Sequence, residues 1–273
     1  MTSPRHARDT ERGRYYTDPA GGPDLVSVTN VLDTAVAKKA LIPWAVKLTT
    51  EYVLANLPSI TLRLVTDRTA VVKEIKAVHR NARERAADLG NRIHAAAEAR
   101  VLGAPFPQEL DVAPYITQLE LWLDSWGVDL ERDVEATEIT CVHRRLGYAG
   151  TADLMVWLPT GLNGRRELWL IDYKTSATRR ANSVYPENTL QLAALRFCEA
   201  VLLPDDTDAP MPRIERTAVL NLRAASYALV PMPAGREAHR AFRGALETTR
   251  WLHAAPSSYT ALLPSAAPAR KAA

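Results

Sequence analysis

Asp172 and Lys174 stand two residues apart at the end of the apolar run Leu168-Trp169-Leu170-Ile171, followed by Thr175. In an extended strand that spacing puts both side chains on one face, where the strand leaves the core. Burying a carboxylate beside an ammonium is costly unless the two pair or bind something charged. The triplet alone is weak, because 7 lysines and 31 acidic residues in 273 positions make about one acid-x-Lys by chance. A second copy, Glu74-Ile75-Lys76, falls in a helical pattern where residues two apart do not face each other, and reads as a solvated surface pair. Upstream, Gly150-Thr151-Ala152-Asp153 places another carboxylate in the preceding strand-like segment. If the two strands are neighbours, Asp153 and Asp172 supply two hard oxygen ligands, the donor set that suits Mg²⁺ or Mn²⁺. Gly150 would let a phosphate or another backbone come close. Only 7 of the 34 basic residues are lysine, and arginine cannot usefully release a proton, so a lysine at 174 is better explained by chemistry than by charge.

The elements that must position these groups change character along the chain. Residues 1–24 are polar, carry Gly and Pro, show no period and are expected to be a flexible lead-in. Ser27-Val28-Thr29-Asn30 offers a helix start, and Pro43 opens a second helix. A long helical pattern runs from about residue 67 to 101, its apolar stripe including Val71, Ile75, Val78, Ala82, Ala86, Leu89, Ile93 and Ala97. Another helix is expected near 111–126. From Asp133 the texture turns to strands: VEATEITCVH and YAGTADLMVWL as a hairpin, then ELWLIDYK as a central strand buried on both faces. A helix over about 187–203, two more strands (ERTAVLNLR and SYALVPM) and a helix to about His253 follow. This order predicts an α/β (α+β) mixed sheet flanked by helices.

Gly-x-x-Asp, then a hydrophobic strand ending Asp-x-Lys-Thr, then a helix bearing Gln191-Leu192, resembles the PD-(D/E)XK nuclease superfamily. More narrowly the chain is similar to its RecB-type exonuclease branch, which carries a helical histidine upstream of the sheet; Gly90-Asn91-Arg92-Ile93-His94 matches that setting. Ser27-Val28-Thr29 and Pro43-Trp44-Ala45 further resemble bacteriophage-encoded members. The likeness spans roughly residues 25–230. It implies a restriction-endonuclease-like core with a helical N-terminal cap: a nuclease-like domain over 25–254 (helical part 25–130, sheet core 131–254), with a flexible tail over 255–273.

The resemblance also implies roles. His94, Asp153 and Asp172, with the backbone carbonyl of Tyr173, would hold Mg²⁺ or Mn²⁺. Lys174 would position or help deprotonate the attacking water, and Gln191 would orient that water or the DNA backbone. Plainer readings stand beside each: turn-capping aspartates, a sheet-edge lysine, a His94–Glu98 pair one turn apart on the helix, and a solvent-facing glutamine. Glu138 could be an outer or second-metal carboxylate, but the alternation around it fits a solvated face equally well. Arg179 and Arg180, just past Lys174, are the arginines best placed to meet DNA phosphates. Leu195 stands where the family often has a tyrosine.

Cys141 and Cys198 cannot supply a four-thiolate iron–sulfur cluster or a disulfide framework, so no cluster is expected. Cys141-Val142-His143 offers only two candidate zinc ligands and no partner pair. A net charge of +3 does not by itself call for a nucleic-acid partner. No long apolar run predicts a membrane span and the N-terminus lacks a signal-peptide core, so a cytoplasmic setting, in a bacterium or a phage-infected cell, is expected. The expected activity is metal-dependent DNA hydrolysis, as an exonuclease in recombination, repair or phage DNA processing, with a single-strand annealing protein as a partner class. The rivals are a structure-specific endonuclease using the same residues and a catalytically silent DNA-binding scaffold.

Overall fold

In a computed structural model, which describes residues 5–160 and 162–262, one mixed sheet of 10 strands lies between two helical layers. The chain opens on a hairpin, β1 (Ala7–Thr10) and β2 (Gly13–Tyr16), then β3 (Leu25–Ser27) and helix α1 (Val28–Ala35). Helices α2 (Leu41–Ala55), α3 (Leu57–Thr66), α4 (Arg68–Val101), α5 (Ala113–Ser125) and the single turn α6 (Leu130–Asp133) follow. The sheet core is β4 (Val134–His143), β5 (Tyr148–Leu158), β6 (Glu167–Thr175), helix α7 (Pro186–Arg196), β7 (Ala200–Leu202), β8 (Asp208–Pro210), β9 (Arg216–Leu222) and β10 (Tyr227–Pro231). Helix α8 (Arg236–Ala254) closes it.

The mixed α/β class expected from the sequence is what the chain adopts, with three differences in detail. The supposed lead-in carries the β1–β2 hairpin, which β3 extends (Tyr15↔Val26, Tyr16↔Leu25). Its order comes from long-range contacts that no local period reveals: Tyr16 is buried, and Asn30 donates to the carbonyls of Arg12 (2.8 Å) and Arg14 (3.2 Å). The helix expected to reach 203 stops at Arg196, because Ala200–Leu202 pairs with β4 as β7 instead. The stripe of α4 is buried only in part. Val71 is buried at one end and Ile93 and Ala97 at the other, while Ala86 is exposed between them. Glu74 faces Arg63 and Tyr52 rather than Lys76. Residues 1–4 and 263–273, at the ends of the two expected flexible segments, lie outside the described residues.

Side-chain alternation assigns the two layers. On β6, Leu168 and Leu170 pack with α1, α7 and α8, while Trp169, Ile171 and Tyr173 pack with α4 and α5. Asp172 and Lys174 therefore share the α7 side. On β5 the alternation slips. Tyr148, Ala152 and Met155 join the α7 side, whereas Leu154, Val156 and Leu158 join the α4–α5 side, so the phase shifts by one at Asp153. On β4, Glu138, which is in register with Asp153, has a φ of 47°. The two strands switch faces together.

Candidate active site

β5 forks the sheet. β4 flanks one side of β5; on the other side β3 pairs with Tyr148 and Ala149, and β6 pairs only with Leu154–Leu158. Residues 150–153 have no strand neighbour on that side, and a cavity of about 330 Å³ opens there. Asp153 stands where the β6 ladder would continue, its Oδ2 accepting the backbone N–H of Tyr173 at 2.7 Å. Beyond that point β6 follows β9 alone, from Asp172↔Val219 to Thr175↔Leu222. The fork thus brings the ends of two strands, the start of α1, the middle of α4 and one face of α7 to a single cavity.

Two groups of side chains meet in it. In the first, His94 Nδ1 lies 3.7 Å from both Glu138 Oε1 and Asp153 Oδ2. Potential ligand atoms of these three residues all lie within 4.8 Å of one another. In the second, Lys174 Nζ donates to Asp172 Oδ1 (2.9 Å) and Gln191 Oε1 (3.3 Å), and Gln191 Nε2 donates to Asp172 Oδ1 (2.7 Å). Asp172 Oδ2 lies 2.7 Å from Lys174 Nζ, so both carboxylate oxygens of Asp172 face the ammonium. The His94 nitrogen with the carboxylate oxygens of Glu138 and Asp153 is a donor set that fits a divalent cation.

The electrostatics reflect carboxylates crowded out of water. Burial pushes the Asp172 carboxyl up to about 6, against the pull of Lys174 and with a further push from Asp153. Burial also raises Asp153, and Glu138 adds to that while His94 opposes it. Burial would lower His94, but Asp153 and Glu138 outweigh it and hold the imidazole at about 9. Lys174 is raised too, since Asp172 and Asp153 overcome the cost of its burial. In the cation-free protein it is therefore an ammonium. That suits donation to a developing negative charge and not removal of a proton from water.

The residues singled out in the sequence divide accordingly. His94, Asp153, Asp172, Lys174 and Gln191 converge on the cavity. Tyr173 contributes its N–H to Asp153, while its ring is buried on the other face, edge-on to His94 at 5.8 Å. The carboxylates beside His94 are Glu138 and Asp153, not Glu98, which lines the cavity one turn further along α4. Glu138 joins the cluster more closely than the sequence suggested. Arg179 and Arg180 line no part of the cavity: the Arg179 guanidinium lies 3.8 Å over the Tyr185 ring, and Arg180 is exposed. Gly150 makes room for side chains rather than for phosphate or backbone. A Cβ there would meet Leu195 Cδ2 at 2.8 Å and Val28 Cγ2 at 3.1 Å, and Leu195 occupies that space.

Three contributors escaped the sequence. Arg14 and Tyr16 of β2 line the cavity, and the Tyr16 hydroxyl lies 2.9 Å from Thr151 Oγ1. Arg223 is buried behind the site and donates to the carbonyls of Lys174 and Arg179, each at 2.9 Å, tying the end of β6 to the loop that follows. Nothing local in the sequence marks any of these residues.

No family model matches the chain, and no curated protein matches it. Among solved structures, one described as "Crystal structure of SSO0001" is 13% identical, covering 83% of this chain and 75% of that one, with a TM-score of 0.34. So low a score bears on neither fold nor function.

Proposed function

We propose that this chain is a divalent-cation-dependent DNA nuclease that hydrolyses phosphodiester bonds at the fork of the sheet. One observation carries the reading: the His94–Glu138–Asp153 cluster shares a cavity with the Asp172–Lys174–Gln191 network. Two buried carboxylates and three half-buried ionisable groups around one cavity are what a functional site with perturbed ionisation looks like. Asp172 and Asp153 are only 3% and 9% exposed, a costly arrangement for a scaffold that binds nothing charged.

His94, Glu138 and Asp153 would hold the cation, with Asp172 beside them. When bound, it supplies Lewis-acid polarisation of the scissile phosphate and a more acidic water. The chain's own residues do the rest. Lys174 offers its ammonium to the charge that builds on the phosphate oxygens as water attacks phosphorus. Gln191 fixes both Lys174 and Asp172, so the ammonium need not reorganise during reaction. The P–O bond to the leaving 3′-oxygen breaks, and the products are a 5′-phosphate and a 3′-hydroxyl. An exonuclease used in recombination, repair or phage DNA processing is the preferred form, on the resemblance of the sequence motifs.

The test is incubation with end-labelled linear DNA in Mg²⁺, Mn²⁺ or EDTA, beside a covalently closed single-stranded circle. Release of short products from linear DNA, dependent on cation and sparing the circle, is expected. Cutting of the circle would replace exonuclease by endonuclease, and no cleavage under any condition would favour the silent scaffold.

A further inference from the structure

Helix α8 packs on α1 and α7, none of its residues lines the cavity at the fork, and one of its faces is rich in arginine. At 3.6 residues per turn, Arg236, Arg240, Arg243, Arg250 and Trp251 fall within an arc of about 100°. Arg236, Arg240 and Arg243 are exposed and make no ion pair among the described residues. Many other arginines are matched, as Arg144 is by Asp18 and Asp208 and Arg92 by Glu109 and Asp111. The acidic residue within the arc, Glu247, is taken by Arg250 at 2.7 Å. Between the three arginines and the end of α7 lies a cavity of about 340 Å³.

The cavity floor is aromatic. His239 stacks on Phe197 with centroids 4.9 Å apart and planes 25° apart, and on His143 at 6.3 Å and 18°. The Tyr148 hydroxyl donates to the carbonyl of Ala194 at 3.0 Å, so at 3.1 Å it accepts from His239 Nε2–H. Burial, with His143 and Arg243 nearby, holds His239 down at about 4, so the floor is neutral and the charge comes from the arginines. Trp251, 65% exposed, continues the same face, about 22 Å along the helix from Arg236.

We infer that the α8 face is a second nucleic-acid site, taking the phosphates of single-stranded DNA on Arg236, Arg240 and Arg243 and stacking a base on Trp251. Guanidiniums free of protein carboxylates suit phosphate, and an exposed indole in line with them suits a base whose faces are open. A duplex hides those faces. An acidic protein surface would use the arginines but has no need of the indole. The choice of DNA as the ligand rests on the nuclease reading; the separation of this face from the cleavage cavity does not.

Fluorescence anisotropy of a labelled dT20 oligonucleotide in EDTA, across a range of salt, tests the assignment without cleavage. The R236A/R240A/R243A variant is expected to bind at least about tenfold more weakly and to flatten the log–log salt slope by about 2, at about 0.7 per lost contact on a single strand. The corresponding triple lysine variant is expected to keep most of the slope, which separates lost charge from a damaged helix. W251A is expected to weaken binding while W251F retains it. Unchanged affinity and slope in the triple alanine variant would overturn the site. Equal affinity for a duplex of the same length, with no effect of W251A, would overturn the single-strand assignment. Binding through α8 without any cleavage by the wild type would uphold this site while removing the nuclease reading. No binding of dT20 at any salt would overturn this site, while the cleavage assay alone decides the nuclease reading.

Discussion

Glu138 is held at a φ of 47°, a left-handed backbone that costs a non-glycine residue of order 1 kcal/mol, beside a carboxylate that also resists ionisation. Strain of this kind persists where the surroundings need the side chain, and here the side chain completes the cluster with His94 and Asp153. Glu138→Gly should therefore leave the stability of the cation-free protein within about 1 kcal/mol of the wild type in urea unfolding, relieved strain offsetting the lost His94 contact, while the cation-induced rise in Tm is lost. A fall in stability with the cation response intact would mean that Glu138 serves the fold. The same groups set a pH dependence. The folded chain keeps the Asp172 proton up to about 6, whereas an unfolded aspartate releases it near 4. It likewise keeps the His94 proton up to about 9, above the ordinary 6.5. In both windows the native state binds more protons than the unfolded state, so cation-free stability falls as pH rises. Mg²⁺ or Mn²⁺ competes with those protons, and the Tm gain on adding either should grow between pH 5 and pH 9 in thermal scans. A gain independent of pH would place the cation elsewhere.

At the scale of elements, the site depends on a fault shared by β4 and β5, which change faces together at Glu138 and Asp153. The packing that holds β5 in place is tight. Gly150→Ala would drive a Cβ to 2.8 Å from Leu195, and a destabilisation of about 1–3 kcal/mol is expected, partly relieved by adding Leu195→Ala. If G150A unfolds like the wild type, β5 is not held by that contact. Helix starts, the long α4 and the β4–β5–β6 core were legible in the sequence because caps, periods and β-rich runs are local signals. The face switch was not, since nothing local sets residues 138 and 153 apart from a regular alternation, in which Glu138 fits a solvated face as well as a ligand. The β7 strand was missed because pairing with the distant β4 decides its structure, and the β1–β2 hairpin because the buried Tyr16 and the hydrogen bonds from Asn30 hold it.

Over the whole molecule, β3 and β6 leave β5 in opposite directions, and the gap between them gathers residues 94, 138, 153, 172, 174 and 191 into one cavity. The Asp-x-Lys motif and its partners Asp153 and Gln191 could be read from spacing and resemblance. Arg14 and Arg223 could not, because their roles exist only once the sheet has closed. No helix among the described residues is long and apolar enough to cross a membrane. The central claim is that Lys174, held by Asp172 and Gln191, serves phosphodiester hydrolysis at this fork. Its most direct test is the single-turnover rate of Mg²⁺-dependent cleavage of end-labelled linear DNA by the wild type, Lys174→Ala and Lys174→Arg, with folding checked by thermal melts. The account expects cleavage by the wild type, a loss of about 10²–10⁴-fold in Lys174→Ala, and no recovery with arginine, whose planar fork does not reproduce the compact ammonium. Equal rates in all three proteins would contradict it.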